Sequence, residues 1–151
     1  MRHIVAIVLM FFCGYSSAAD HSILTLKLGD KVINLSYEDM LEFTPVEHTM
    51  SNLWIEKTTT YTGVKLSGIL EKYKITNEWL QLTALNDYSI EVPIADADKG
   101  AFIAYLIDGK QIKIRDKGPL WLLYPFKENK VLDVDLYHNR SIWQLKVIEG
   151  L

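Results

Sequence analysis

The sequence predicts a sheet-rich α+β single domain. Three observations carry that expectation. Runs rich in Val, Ile, Thr, Tyr and Trp alternate with turn dipeptides along most of the chain. Only two or three short stretches carry helix spacing or capping signals. No repeat, low-complexity tract or Pro/Gly-rich linker divides the 151 residues, a length that suits one core.

Taken in order, Ile23 to Leu28 and Lys31 to Leu35 flank Gly29-Asp30 and read as a hairpin. Ser36 followed three residues later by Asp39 has the spacing of a capping box and opens a short helix, which Pro45 ends. Residues 49 to 62 favour extended structure. Leu66, Ile69, Leu70 and Tyr73 lie three and four apart, on one face of a helix. Trp79 to Leu85 and Tyr88 to Val92 are strands joined at Asn86-Asp87 and stopped by Pro93. Ala101 to Ile107 and Gln111 to Ile114 flank Asp108-Gly109, a second hairpin signal. Leu120 to Tyr124 forms an apolar strand between Pro119 and Pro125, and Ile142 to Ile148 forms the last. Trp54, Trp79, Trp121 and Trp143 all fall on expected strands and are assigned to core packing.

Composition narrows the function. The chain is 49% hydrophobic and 23% charged, with net charge −3 and one cysteine. Without a basic excess there is nothing to hold a nucleic-acid backbone, so no nucleic-acid partner is expected. The cysteine is Cys13. It sits in a segment with a basic start (Met1-Arg2-His3), an apolar run from Ile4 to Phe12, and the small residues Ser16-Ser17-Ala18-Ala19. That pattern is a Sec-type signal peptide, residues 1–19, cleaved near Ala19 to leave a domain of residues 20–151 in the periplasm. The apolar run falls short of the ~20 residues a membrane span needs. Bulky Phe12 before Cys13 does not fit a lipoprotein signal. The exported domain keeps no cysteine, so thiolate catalysis, disulfides and Cys-based metal sites are outside its chemistry.

Several segments in order resemble the oxidoreductase molybdopterin-binding domain, the fold of sulfite oxidase. Thr62-Gly63-Val64-Lys65-Leu66 with Ile69-Leu70 resembles the family's turn into a helix. Ala84-Leu85-Asn86-Asp87-Tyr88 with Pro93 resembles its tight hairpin, and Ile103-Ala104-Tyr105 with Asp108-Gly109 and Gly118-Pro119-Leu120 resembles its D-G…G-P-L pattern. Trp143 to Ile148 resembles the closing strand. The resemblance implies a cleft for a pyranopterin carrying molybdenum whose one protein ligand is a cysteine thiolate. That cysteine would fall near Ser51, within Thr49-Met50-Ser51-Asn52, where none is present. A serine hydroxyl resists deprotonation and lacks soft sulfur. The family's G-P-L-R arginine is Trp121 here, and the turn glycine is Asp87. Its holoenzymes load the cofactor in the cytoplasm and cross by a twin-arginine route, whereas Arg2 stands alone before His3.

These departures point to a non-catalytic ligand-binding or regulatory module with no cofactor of its own, reporting to a membrane-bound sensor or signalling protein. The alternative is a molybdopterin-dependent oxidoreductase with Ser51 or Thr49 in the metal environment. By resemblance, the cofactor-binding positions are Ser51, Trp54, Tyr61, Tyr88, Arg115 and Trp121. No catalytic and no metal-binding residue is assigned. Lys110, Lys113, Arg115 and Lys117 read as a strand face, with a small anionic ligand as the functional reading. Asp133, Asp135 and His138 read as a polar turn between strands rather than a metal site, and His48 with Ser51 lacks the motif of a nucleophile pair.

Overall fold

The computed structural model describes residues 21–151. The leader read at residues 1–19, with Cys13 and the cleavage point at Ala19, lies outside them. The domain is sheet-rich α+β, as the strand and turn pattern predicts. In chain order it runs β1 (Ser22–Leu28), β2 (Lys31–Ser36), α1 (Tyr37–Leu41), β3 (Pro45–Asn52), β4 (Ile55–Lys65) and α2 (Leu66–Tyr73). It continues with β5 (Trp79–Ala84), β6 (Ser89–Pro93), β7 (Phe102–Ile107), β8 (Lys110–Gln111), β9 (Trp121–Leu123), α3 (Asp135–Arg140) and β10 (Leu145–Gly150). Single 3₁₀ turns occupy 94–96, 114–116 and 130–132. No helix among the described residues is long and apolar enough to cross a membrane.

The strands form two sheets. One has the order β2-β1-β10-β5-β6, and the other β3-β4-β7-β8 with β9 also on β7. Alternation makes the first sheet one-sided: Leu24 and Leu26 of β1 are buried while Lys27 faces out, and Leu80 and Leu82 of β5 repeat the pattern. These leucines join Val64 and Ile103 of the second sheet, and Leu66, Ile69 and Leu70 of α2, in one core. The three- and four-residue spacing is therefore the buried face of α2. β1 and β10 pair in parallel, Thr25 opposite Val147.

Local chemistry explains the element ends. Ser36 and Asp39 form the reciprocal capping box of α1: Ser36 Oγ accepts from Asp39 N at 3.2 Å, and Asp39 Oδ2 accepts from Ser36 N at 2.7 Å. The Ser36 backbone bond, then its hydroxyl, hold Asp39 below the usual carboxylate range. Replacing Ser36 with alanine should cost about 1 kcal/mol of unfolding free energy at neutral pH. Because Asp39 is acidified by folding, its contribution is complete above the ordinary carboxylate pKa and fades as acid protonates it in the fold. Urea titrations at pH 7 and in strong acid check both halves. Gly63 in β4 has a different reason: an added Cβ would run into Ile103 O and lie 2.7 Å from Ala104 Cα of β7.

Residues 49 to 62 are extended as read, in two strands, β3 and β4, because the Asn52 side chain closes a turn in the middle. Three other expectations need correction. Pro45 begins β3 rather than ending α1; as the first residue of an edge strand it leaves no ladder hydrogen bond unmade. The strand expected at Gln111 to Ile114 stops at Gln111. Beyond it the chain folds back, with Asp116 N and Gly118 N both bonded to Lys113 O, leaving Ile114 60% exposed. Only Trp121 among the tryptophans is fully buried; Trp79 is 41% and Trp143 38% exposed, and Trp54 sits in the β3–β4 turn.

One buried charge braces the fold. Asp96, fully enclosed, accepts from Tyr124 Oη at 2.7 Å, Lys99 Nζ at 2.9 Å and Arg140 Nη1 at 3.0 Å. The carboxylate thereby ties the turn after β6 to the segment after β9 and to α3.

Candidate functional site

The site is built outward from Asn52. Its Oδ1 accepts from Trp54 N at 3.1 Å and Ile55 N at 2.9 Å, and its Nδ2 donates to Tyr61 Oη at 3.0 Å. One side chain thus shapes the hairpin tip and satisfies a buried phenol. The tip carries Trp54, whose ring meets Trp121 edge-on at 5.5 Å, Trp143 at 5.7 Å and His138 at 6.0 Å. Behind it Tyr61 meets Trp121 at 6.0 Å, and Trp121 Nε1 donates to Ser141 O at 3.3 Å. Lys117 Nζ stands 4.8 Å above the Trp143 ring.

Burial pushes the Tyr61 hydroxyl up to about 12; the Asn52 hydrogen bond opposes this and the Asp108 charge adds to it. In the unfolded chain it ionises near 10.0, before the folded residue does. Stability is therefore full below that pH and declines as pH rises toward 12. A Tyr61→Phe variant should show a shallower alkaline decline than the parent when melting temperatures are compared between pH 9 and 12.

Two hollows flank this cluster. The first, about 370 Å³, has Trp54, Trp143 and Tyr88 for aromatic walls. Asn86, Asn139 and Ser141 supply its polar groups, and Ala84, Ile142 and His138 complete it. The β5–β6 turn delivers Ala84, Asn86 and Tyr88, with Asp87 at the turn in the left-handed region (φ 64). α3 and the stretch after it deliver His138, Asn139, Ser141, Ile142 and Trp143, and the β3–β4 turn delivers Trp54. The second hollow, about 420 Å³, is more polar, with Ser51, Asn52, Thr58, Lys127, Lys130 and Asp133 on its walls. Between them His138 Nε2 and Asp133 Oδ1 lie 3.1 Å apart.

Of the residues singled out from sequence, Trp54 and Tyr88 line the first hollow, and Trp121 with Tyr61 forms the buried layer beside Trp54. Ser51 opens on the second hollow. Arg115 lines neither; it is exposed on the turn at 114–116 and stands 3.7 Å from Asp116. The strand face expected for Lys110, Lys113, Arg115 and Lys117 does not form, and only Lys117 reaches the aromatic cluster. The Thr49 hydroxyl is paired across the hairpin with Thr60 at 2.9 Å. His48 packs on Phe102 at 4.5 Å with its Nδ1 3.3 Å from Glu128 Oε1, and it shares no hydrogen bond with Ser51. The stretch read as a polar turn at 133–138 contains the start of α3, and His138 is buried there. Sequence reasoning missed Asn86, Asn139 and Trp143 as wall residues; the tryptophan was visible but assigned to the core.

Comparison with known proteins follows the same lines. A family model described as the oxidoreductase molybdopterin binding domain matches residues 16–129. Twenty-eight chains of solved structures match. Among them is the sulfane dehydrogenase SoxCD from Paracoccus pantotrophus, with a TM-score of 0.60 and 13% identity. The match covers 87% of this chain but 39% of that one, so this chain spans well under half of its neighbour's length. At that identity the likeness is one of fold. Among curated proteins no relative matches.

Proposed function

The chain belongs to the oxidoreductase molybdopterin-binding domain family, and on that premise we propose that it is an exported, non-catalytic module that binds a pterin-type heterocycle without its metal. The observation that carries the reading is the first hollow. Trp54, Trp143 and Tyr88 offer faces and edges to a planar ring, and Asn86 and Asn139 offer amides to its polar rim. Such a wall suits a flat molecule with hydrogen-bonding edges, which is the organic part of the family's cofactor.

The donor set does not fit the metal. Residues 20–151 contain no cysteine, and no group of three or more His, Cys, Asp or Glu side chains among the described residues is placed to hold an ion. Ser51, at the position nearest the family's ligand, offers a hard oxygen in the second hollow. The reading extends to a membrane-bound signalling partner in the periplasm. Its support is the exposed apolar rim, where Leu53 is 64% and Tyr88 55% exposed beside the two hollows.

The test uses full chain exported and purified natively. Molybdenum and tungsten are measured beside extractable pterin, and tryptophan fluorescence is titrated with 6-methylpterin. Quenching that saturates, without stoichiometric metal, is the expected result. Stoichiometric molybdenum or tungsten would overturn the non-catalytic reading in favour of an oxidoreductase with a non-cysteine metal environment; absence of quenching would overturn the pterin reading.

A further inference from the structure

His138 is the one wall residue of the first hollow with an unexplained polar atom. Its side chain is 7% exposed, and its ring stacks on Phe126 at 4.7 Å and meets Trp54 at 6.0 Å. Nε2 faces Asp133 Oδ1 at 3.1 Å. Nδ1 is enclosed and has no hydrogen-bond partner among the described residues. A carboxylate only accepts hydrogen bonds, so in the neutral ring the proton sits on Nε2 and Nδ1 presents a bare lone pair. Leaving such an acceptor buried and unpaired is unfavourable, because it has given up water and gained no donor. The contact with Asp133 accounts for Nε2 and leaves Nδ1 without a structural role.

We propose that His138, its tautomer set by Asp133, is the hydrogen-bond acceptor that selects ligands bearing a ring N–H or amino group in the first hollow. The inference rests on the pterin reading above and deepens it: a pterin's pyrimidine edge carries such donors, and a flat hydrocarbon does not. Access of a ligand edge to the shielded nitrogen requires that exposed Asn139 or Trp143, on the same wall, move aside. Asp133 is a positioning residue. It opens on the second hollow and acts only through the imidazole.

The test is titration of the full chain with 6-methylpterin beside two variants. His138→Gln retains an amide that reaches Asp133 but has no atom at the Nδ1 position. Asp133→Asn is isosteric, sits at an exposed position, and can donate to Nε2, which moves the ring proton to Nδ1. Each is expected to weaken binding about tenfold without lowering the melting temperature enough to unfold the protein. In ¹⁵N-histidine spectra of the parent, the His138 Nδ1 resonance should be of the unprotonated type and move on saturation with the pterin. The exposed position of Asp133 keeps the test intact should His138→Gln fail to fold. Parent-like affinity in the folded variants, or an Nδ1 resonance that does not move, overturns the role of His138 while the pterin reading stands. No binding by the parent overturns both.

Discussion

An Asp96→Ala variant is expected to lose about 3 kcal/mol or more of unfolding free energy, more than any surface change in this chain. The reason is the asymmetry of a buried charge. Asp96 is fully enclosed, and three donors converge on it: Tyr124 Oη, Lys99 Nζ and Arg140 Nη1. Removing the carboxylate strands the buried Tyr124 hydroxyl and takes the counter-charge from Arg140, whose side chain is 18% exposed. Lys99 can turn to water and adds little. Burial, with the Asp96 hydrogen bond and charge, holds the Tyr124 phenol far above its ordinary value, so it remains a donor at any working pH. Urea denaturation should show a lower midpoint with an unchanged slope. A double variant with Tyr124→Phe should be less destabilised than the sum of the two single changes, because both remove the same bond. Additive losses would show that the network does not act as a unit. Since Arg140 ends α3, loosening it should also blur the wall that carries His138.

The second large effect is on binding. A Trp54→Ala variant should weaken 6-methylpterin binding by about 10- to 100-fold, the range expected when one aromatic platform beneath a heterocycle is removed. Trp54 touches Trp121, Trp143 and His138, so its ring organises the first hollow as well as lining it. The hairpin should survive, because Asn52 closes the turn through the backbone N–H groups of residues 54 and 55 and not through the indole. A Trp54→Phe variant should recover part of the affinity. If Trp54→Ala melts like the parent and binds like it too, the ligand sits elsewhere, and the second hollow becomes the place to look.

Much of the scaffold was legible because it is local. Gly29-Asp30, Asn86-Asp87 and Asp108-Gly109 each mark a real turn, and Gly29, Asp87, Asp108 and Gly109 all have positive φ. The capping box at Ser36 and the α2 face depend on neighbours three or four residues away. The site was legible in part for the opposite reason. Trp54 and Trp143 come together across 89 positions of sequence only once both strands of a hairpin and α3 are in place. No periodicity separates a tryptophan that fills the core, like Trp121, from one that borders a hollow. The Asp133–His138 contact was within sequence reach, but nothing in a five-residue spacing says that the histidine is buried. Arg115 illustrates the reverse error: motif position placed it at a cleft, whereas the fold-back at Lys113 turns it into solvent.

The parallel pairing of β1 with β10 sets the order in which the molecule can assemble. In the sheet order β2-β1-β10-β5-β6, the strand at residues 145–150 is the middle one. As the chain leaves the ribosome, β1–β2 and β5–β6 can form only as two separate hairpins with open edges. The second sheet, whose strands end at Leu123, has all its partners earlier. Completion of the first sheet waits for the last strand, across a loop closure of more than a hundred residues. The inner edge of β1 therefore stays unpaired until residues 145–150 are available to it.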